Sequence, residues 1–431
     1  MHRRIVFAGL AILFGLAAAA CANERSEPAT DEINAIIRSL SEISGLKEKH
    51  PVPCGRMSKR QLRQFLSKRI KKTLQPEEIR SDELVLKLFG LVPQNFDLKK
   101  STVDLLTEQA AAFYDYDEKK LFLLPDSESD AEITTLAHEL SHALADQHFD
   151  LERFMEDSSL TDDQNLARTA VVEGQASWLM LAYDLKAAGK PPVPTEQMLK
   201  SVGDASEASI ADYPVLKASP LYIQQSLLFP YAQGTLFFDA VYKRMGKSAF
   251  SEVFRHAPAD SAQILHPELY FRNVKPTLPQ LPKPALKNFK GEIASGSVGE
   301  FDHQILLQQY VGAAAAAALA PHLRGGHFRV VVAGRKRSPV LEYASEWDSA
   351  DSARQFFKAY KRILKAKWKR CDPVADTPAL FAGTGDNGYF VSRSEGATVS
   401  SVEGIGDGGD WRRLQQPKPD TAAALAVSPQ S

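Results

Sequence analysis

The sequence predicts an α+β protein: a mostly helical region with a small β-hairpin, then a proline-rich linker and a smaller α/β domain. Three observations carry this reading. Apolar residues recur at helical spacing through most of residues 30–256. One aromatic-rich stretch, residues 112–124, alternates as two short strands around a polar turn. Prolines 276, 279, 282 and 284 then interrupt regular structure, and the pattern beyond them mixes strands with one amphipathic helix.

Composition narrows the class further. The 431 residues are 44% hydrophobic and 24% charged, enough apolar material to bury a core and to exclude disorder as the main state. With 25 Gly, 25 Pro and 3 Cys, collagen-like and disulfide-dense scaffolds are excluded too. The 52 basic side chains balance 53 acidic ones, so no overall field favours nucleic acid. No internal repeat is visible.

The elements follow in order. Met1-His2-Arg3-Arg4 and the apolar run Ile5 to Ala20 have the form of a signal peptide over residues 1–22, too short for a typical spanning helix. Ala20-Cys21-Ala22 fits a cleavage site. Ala18-Ala19-Ala20-Cys21 fits a bacterial lipobox, which would put a lipid anchor on Cys21. The chain is therefore expected to be exported, as a periplasmic protein or as a lipoprotein on the periplasmic or extracellular side. Either route leaves Cys54 and Cys371, which could pair as a disulfide in an oxidising compartment.

Residues 23–105 read as an N-terminal helical region, with Ile33, Ile36, Ile37, Leu40 and Ile43 on one stripe and Leu62, Phe65, Leu66, Ile70 and Leu74 on another. In the next region, 106–274, the hairpin comes first. Ser129-Asp130-Ala131-Glu132 then has the form of a capping box that opens a helix running to about His148. A long helix is predicted over about 163–185, and further helices over 194–202, 220–228, 232–245 and 247–256. The linker covers 275–290. Residues 291–411 form the α/β domain, with a helix from Gln304 to Ala320, strands at 328–332 and 340–343, a helix from Ser349 to Lys367, and a closing hairpin across Glu395-Gly396. The polar tail 412–431 reads as disordered.

The chemistry-bearing motif is His138-Glu139-Leu140-Ser141-His142. Positions four apart on a helix lie one turn above each other, so both imidazoles can share one Zn²⁺. Glu139 points to the adjacent edge, where it can take a proton from a water beside the metal. Two histidines leave a catalytic zinc one protein ligand short. His148, ten residues after His138, is one option, but the pattern that would swing it back needs a glycine where Ala145 stands. If the helix continues, His148 faces away, about 240° around the axis from His142. Glu173, in Val171-Val172-Glu173-Gly174-Gln175-Ala176, is the better option, because a carboxylate on so apolar a helix needs a buried partner.

The HExxH stretch followed about thirty residues later by a helix-borne glutamate resembles the gluzincin group of zinc metallopeptidases. It also resembles secreted bacterial metallopeptidases that combine HExxH with a later E-G-x-A. The specific motifs span residues 110–180, with weaker likeness at Pro230-Tyr231-Ala232-Gln233-Gly234 and Ile264-Leu265-His266-Pro267. The resemblance implies His138, His142 and Glu173 as zinc ligands, Glu139 as general base, and a hairpin edge that binds polypeptide in extended form. It departs in one place: Ser177 stands where thermolysin-like members carry an Asp that orients a ligand histidine, so Asp146 or another carboxylate would have to substitute. Peptide hydrolysis also needs a donor for the developing oxyanion, and Tyr231 and His266 are the candidates. The leading expectation is an exported zinc metallopeptidase with the C-terminal domain as an accessory. The alternative is a periplasmic zinc-fold protein that binds polypeptide as an assembly or chaperone-like factor without turnover.

Overall fold

The computed structural model describes residues 11–12, 30–73, 75–124, 133–157, 159–282, 290–333 and 338–406. The expected signal peptide lies almost wholly outside them, as do the capping box at Ser129, Pro284 and the tail. The chain is α+β, in two compact units: Met1–Pro276 with Gly296–Gln309, and Thr277–Ser295 with Tyr310–Ser431. No helix among the described residues is long and apolar enough to cross a membrane.

The first unit contains, in order, β1 (Ala11–Ile12), α1 (Thr30–Ser44), β2 (Cys54–Arg56), α2 (Lys59–Thr73), α3 (Pro76–Phe89), α4 (Leu98–Gln109), β3 (Ala112–Asp115) and β4 (Lys120–Leu123). It continues with α5 (Ile133–Phe149), α6 (Leu151–Met155), α7 (Asp162–Ala187), α8 (Glu196–Ser209), α9 (Pro214–Ala218), α10 (Leu221–Met245), α11 (Ala249–Arg255), α12 (Ser261–Leu265), α13 (Pro267–Phe271) and α14 (Glu300–Tyr310). The expected hairpin is β3–β4, in the sheet order β1-β3-β4-β2. Alternation decides its two faces. Phe113 and Phe122 stack at 5.1 Å and pack with Leu62, Leu66 and Leu106 of α2 and α4. Tyr114, one residue on, faces α5 instead, where its hydroxyl meets Asp146.

Helix α7 starts at a capping box: Thr161 N–H donates to Gln164 Oε1 at 2.9 Å while the Thr161 hydroxyl accepts from the Gln164 amide. The two helices expected over 220–228 and 232–245 are one, α10, continuous through Pro230. An interior proline costs a backbone hydrogen bond. Here the burial of Tyr222, Leu227, Phe229, Phe237, Phe238 and Val241 outweighs it. The expected Gln304–Ala320 helix is broken in turn, into α14 and α15 (Ala313–Leu319), because Gly312 takes φ +111° between them. Nor does α14 belong to the C-terminal domain as expected. Its buried carboxylates are satisfied in the first unit, where Tyr222 Oη donates to Asp302 Oδ1 at 2.9 Å and His266 Nε2 meets Glu300 Oε1 at 2.9 Å.

The second unit is a seven-stranded sheet, order β5-β6-β7-β11-β10-β9-β8. Its strands are β5 (Gly291–Ser297), β6 (Leu323–Ala333), β7 (Ser338–Trp347), β8 (Cys371–Asp376), β9 (Leu380–Gly385), β10 (Gly388–Glu395) and β11 (Thr398–Ile405). Helix α16 (Ala350–Lys367) covers one face, with Phe356 stacked on Trp347 at 4.3 Å. Glu403, buried beneath it, receives the Tyr360 hydroxyl and Lys367 Nζ, each at 2.6 Å. The linker prolines do exclude regular structure over 274–282. That segment is nonetheless strapped to β6, through Thr277 N–H to Arg324 O at 2.8 Å and the Pro279 carbonyl at His327 Nδ1.

Candidate metal centre

Helices α5 and α7 pack against each other and bring the three expected ligands together. On α5, the four-residue spacing sets His138 Nε2 and His142 Nε2 2.9 Å apart, with the rings edge-on at 79°. On α7, Glu173 Oε2 lies 3.2 Å from His138 Nε2 and 3.4 Å from His142 Nε2. All three side chains are buried, and one donor atom from each falls within 4.8 Å of the others. Burial pushes the His138 imidazole down to about 4, against the pull of Glu173, so the ring is neutral at pH 7. Burial by itself would raise the Glu173 carboxyl, but His142 and His138 bring it down to about 2. Two imidazole nitrogens and one carboxylate oxygen, buried and convergent, form a donor set that could hold a metal ion.

Glu139 lies beside this set, fully buried. Its Oε2 accepts the Tyr114 backbone N–H at 2.7 Å, while Oε1 has no hydrogen-bond partner among the described residues. Burial first, then the nearby Glu173, push its carboxyl well up, and the Tyr114 amide opposes them. Tyr231 reaches the centre from α10. Its ring is stacked on His138 at 6.1 Å and 28°, and its hydroxyl bonds Glu173. Two glycines allow that approach. A Cβ on Gly174 would lie 2.1 Å from the Gly234 carbonyl carbon, and a Cβ on Gly234 would lie 2.2 Å from the Ala170 oxygen. The backbones of α7 and α10 therefore touch one residue beyond Glu173 and one turn beyond Tyr231. The glycines of the E-G-x-A and P-Y-x-x-G stretches are two sides of one helix crossing.

Other expectations resolve differently. Helix α5 runs on through Ala145, and His148 Nε2 meets the Lys47 carbonyl at 2.7 Å, away from the donor set. His266 is taken up by Glu300 in tying α14 down, and no hydrogen bond or ring contact among the described residues joins it to the centre. Asp146 does not replace the missing orienting carboxylate either. It accepts the Tyr114 hydroxyl, Lys119 Nζ and the Leu151 N–H instead, and Nδ1 of both His138 and His142 lacks a partner among the described residues. Cys54 is exposed, and Cys371 is half-buried in the other unit. Tyr116, not singled out from the sequence, is buried close enough that burial, then the Glu173 charge, raise its hydroxyl well above the usual phenol range. Its place in an aromatic-rich turn was the available signal. No family model, curated protein or solved structure matches the chain.

Proposed function

We propose that the chain is an exported zinc-dependent peptidase acting on polypeptide in extended form. The observation that carries this reading is the convergence of His138, His142 and Glu173 on one point with Glu139 next to it. An N₂O set of three protein donors matches the ligand count of catalytic zinc, whereas structural zinc is normally closed by four protein ligands. When bound, zinc would act as a Lewis acid that acidifies water. The chain's own residues supply the remaining parts. With a zinc charge beside it to favour the ionised carboxylate, Glu139 would take the proton of the attacking water and return it to the leaving amine. Tyr231 would turn its hydroxyl from Glu173 to the developing oxyanion. The outer edge of β3 would pair with the substrate backbone.

The second reading, polypeptide binding without turnover, is favoured by the Nδ1 atoms of His138 and His142, which have no partner among the described residues. Catalytic zinc histidines are usually held through that second nitrogen. One set of measurements separates the readings. Zinc per chain should be near one in the parent and clearly lower in Glu173→Ala. Unfolded polypeptide should be cleaved by the parent and only bound by Glu139→Gln. A parent that takes up zinc and binds polypeptide but never cleaves it leaves the binding reading. A parent that takes up no zinc when supplied removes both.

A further inference from the structure

We infer that Tyr114 and Asp146 are positioning residues for Glu139, a role that rests on the peptidase reading above. Glutamate is a long side chain, and this one is held by a single hydrogen bond among the described residues, from the Tyr114 backbone N–H to Oε2. A backbone donor cannot change rotamer, so the carboxylate is placed only as well as β3 is placed on α5.

The hairpin register makes that donor available. Leu124 N–H bonds Ala111 O at 2.9 Å, and partners then alternate through Phe113↔Phe122 and Asp115↔Lys120. The backbone groups of 111, 113 and 115 therefore turn toward β4, and those of 112 and 114 toward the opposite edge. The amide of Tyr114 leaves the hairpin on the side where Glu139 meets it.

The same residue provides a second fastening. Tyr114 Oη donates to Asp146 Oδ2 at 2.8 Å, two helical turns past Glu139 on α5. Asp146 Oδ1 also accepts Lys119 Nζ at 3.0 Å, from the turn of the same hairpin, and the Leu151 N–H at 2.8 Å, from the start of α6. Asp146 is thus a buried hub that holds the hairpin's strand and turn on the helix bearing the HExxH motif. Tyr114 bridges the two points, backbone to Glu139 and side chain to Asp146. Without the hydroxyl, the strand keeps its amide but loses the contact that sets its distance from α5.

The test uses the full chain loaded with zinc, comparing the parent with Tyr114→Phe, Asp146→Ala and Asp146→Asn. Tyr114→Phe should lower kcat about 10–100-fold, the scale of a misplacement on the order of 1 Å, with KM and zinc per chain unchanged. Hydrogen exchange over residues 112–116 should show the Tyr114 amide exchanging about tenfold faster, as expected when its opening is easier by about 1.4 kcal/mol. Asp146→Asn, which keeps an acceptor for the hydroxyl, should retain most of the protection that Asp146→Ala loses, and it covers the case in which Tyr114→Phe fails to fold. Unchanged exchange in Tyr114→Phe and Asp146→Ala, or a rise in KM at constant kcat, overturns the inference. Exchange is read whether or not the parent cleaves peptide. Faster exchange in Tyr114→Phe and Asp146→Ala, where the parent shows no turnover, therefore removes the peptidase reading and the catalytic role together, leaving only the hairpin fastening.

Discussion

Tyr231 has its ring on His138 and its hydroxyl on Glu173. Phenylalanine would keep the stacked ring and lose only the donor. On the peptidase reading proposed above, Tyr231→Phe is therefore expected to retain zinc and KM while kcat falls about 10²–10³-fold, the usual effect of losing one oxyanion donor. Steady-state kinetics with parallel zinc analysis checks this, and an unchanged kcat would assign the ring a packing role alone. Glu173 and Glu139 show how residues of one type on neighbouring helices differ by partner. Burial raises both carboxyls, but the two imidazoles within 3.4 Å of Glu173 bring it down to its charged form, whereas Glu139 has only the Tyr114 amide to oppose burial and the Glu173 charge and is pushed up. The sequence reveals His138, Glu139 and His142 because helical spacing alone puts them together, and Glu173 because its apolar helix demands a partner. It conceals the roles of Asp146 and His266. Their partners, Tyr114 and Glu300, are 32 and 34 positions away and belong to no local pattern.

At the scale of elements, the centre depends on how closely α7 and α10 approach. A methyl on Gly174 has no free volume, since the nearest atoms are Gly234 backbone rather than the movable end of a side chain. Gly174→Ala and Gly234→Ala should each destabilise the first unit by about 1–3 kcal/mol or more, the range for forcing extra volume into a packed core, despite alanine's better helix propensity. The same displacement should pull Tyr231 from His138. Both variants are thus expected to lose activity in excess of their loss of folded protein, as read by urea unfolding beside kinetics on the folded fraction. A variant as stable as the parent would show that the crossing can open without cost. The short-range rules reach the hairpin, the long helices and the closing strands at 388–405. They do not reach the continuity of α10 through Pro230 or the break at Gly312. The first depends on tertiary burial overriding a local breaker, and the second on one residue's φ.

For the whole chain, the cluster that fixes α14 in the first unit is expected to make stability depend on pH. Asp163, Asp260, Glu300 and Asp302 are buried together with His266 at their margin. Burial, and then Glu300, push the Asp260 carboxyl from 3.8 up to about 6, against the Gln263 amide and His266. Burial and the neighbouring Asp260 and Asp302 raise Asp163 as well. Where the folded value exceeds the unfolded one, the folded state binds the proton more tightly, and stability falls as pH rises between the two. A carboxyl carried from 3.8 to about 6 corresponds to on the order of 3 kcal/mol, present below pH 4 and gone above pH 6. The His266 imidazole, raised by its Glu300 hydrogen bond, acts in the same direction: its contribution is complete below 6.5 and disappears as pH climbs through the folded value. Carboxylates elsewhere that are held low, such as Asp104 with Lys100 and Arg63, work in the opposite sense, so the total profile mixes both. The informative quantity is the difference between Asp260→Asn and the parent, measured by hydrogen exchange of the α12 and α14 amides. Asparagine cannot ionise, so the variant should gain on the parent steadily from pH 4 to 7. A difference that stays flat across that window would mean that Asp260 does not titrate there, and that α14 is held by packing and its neutral hydrogen bonds alone.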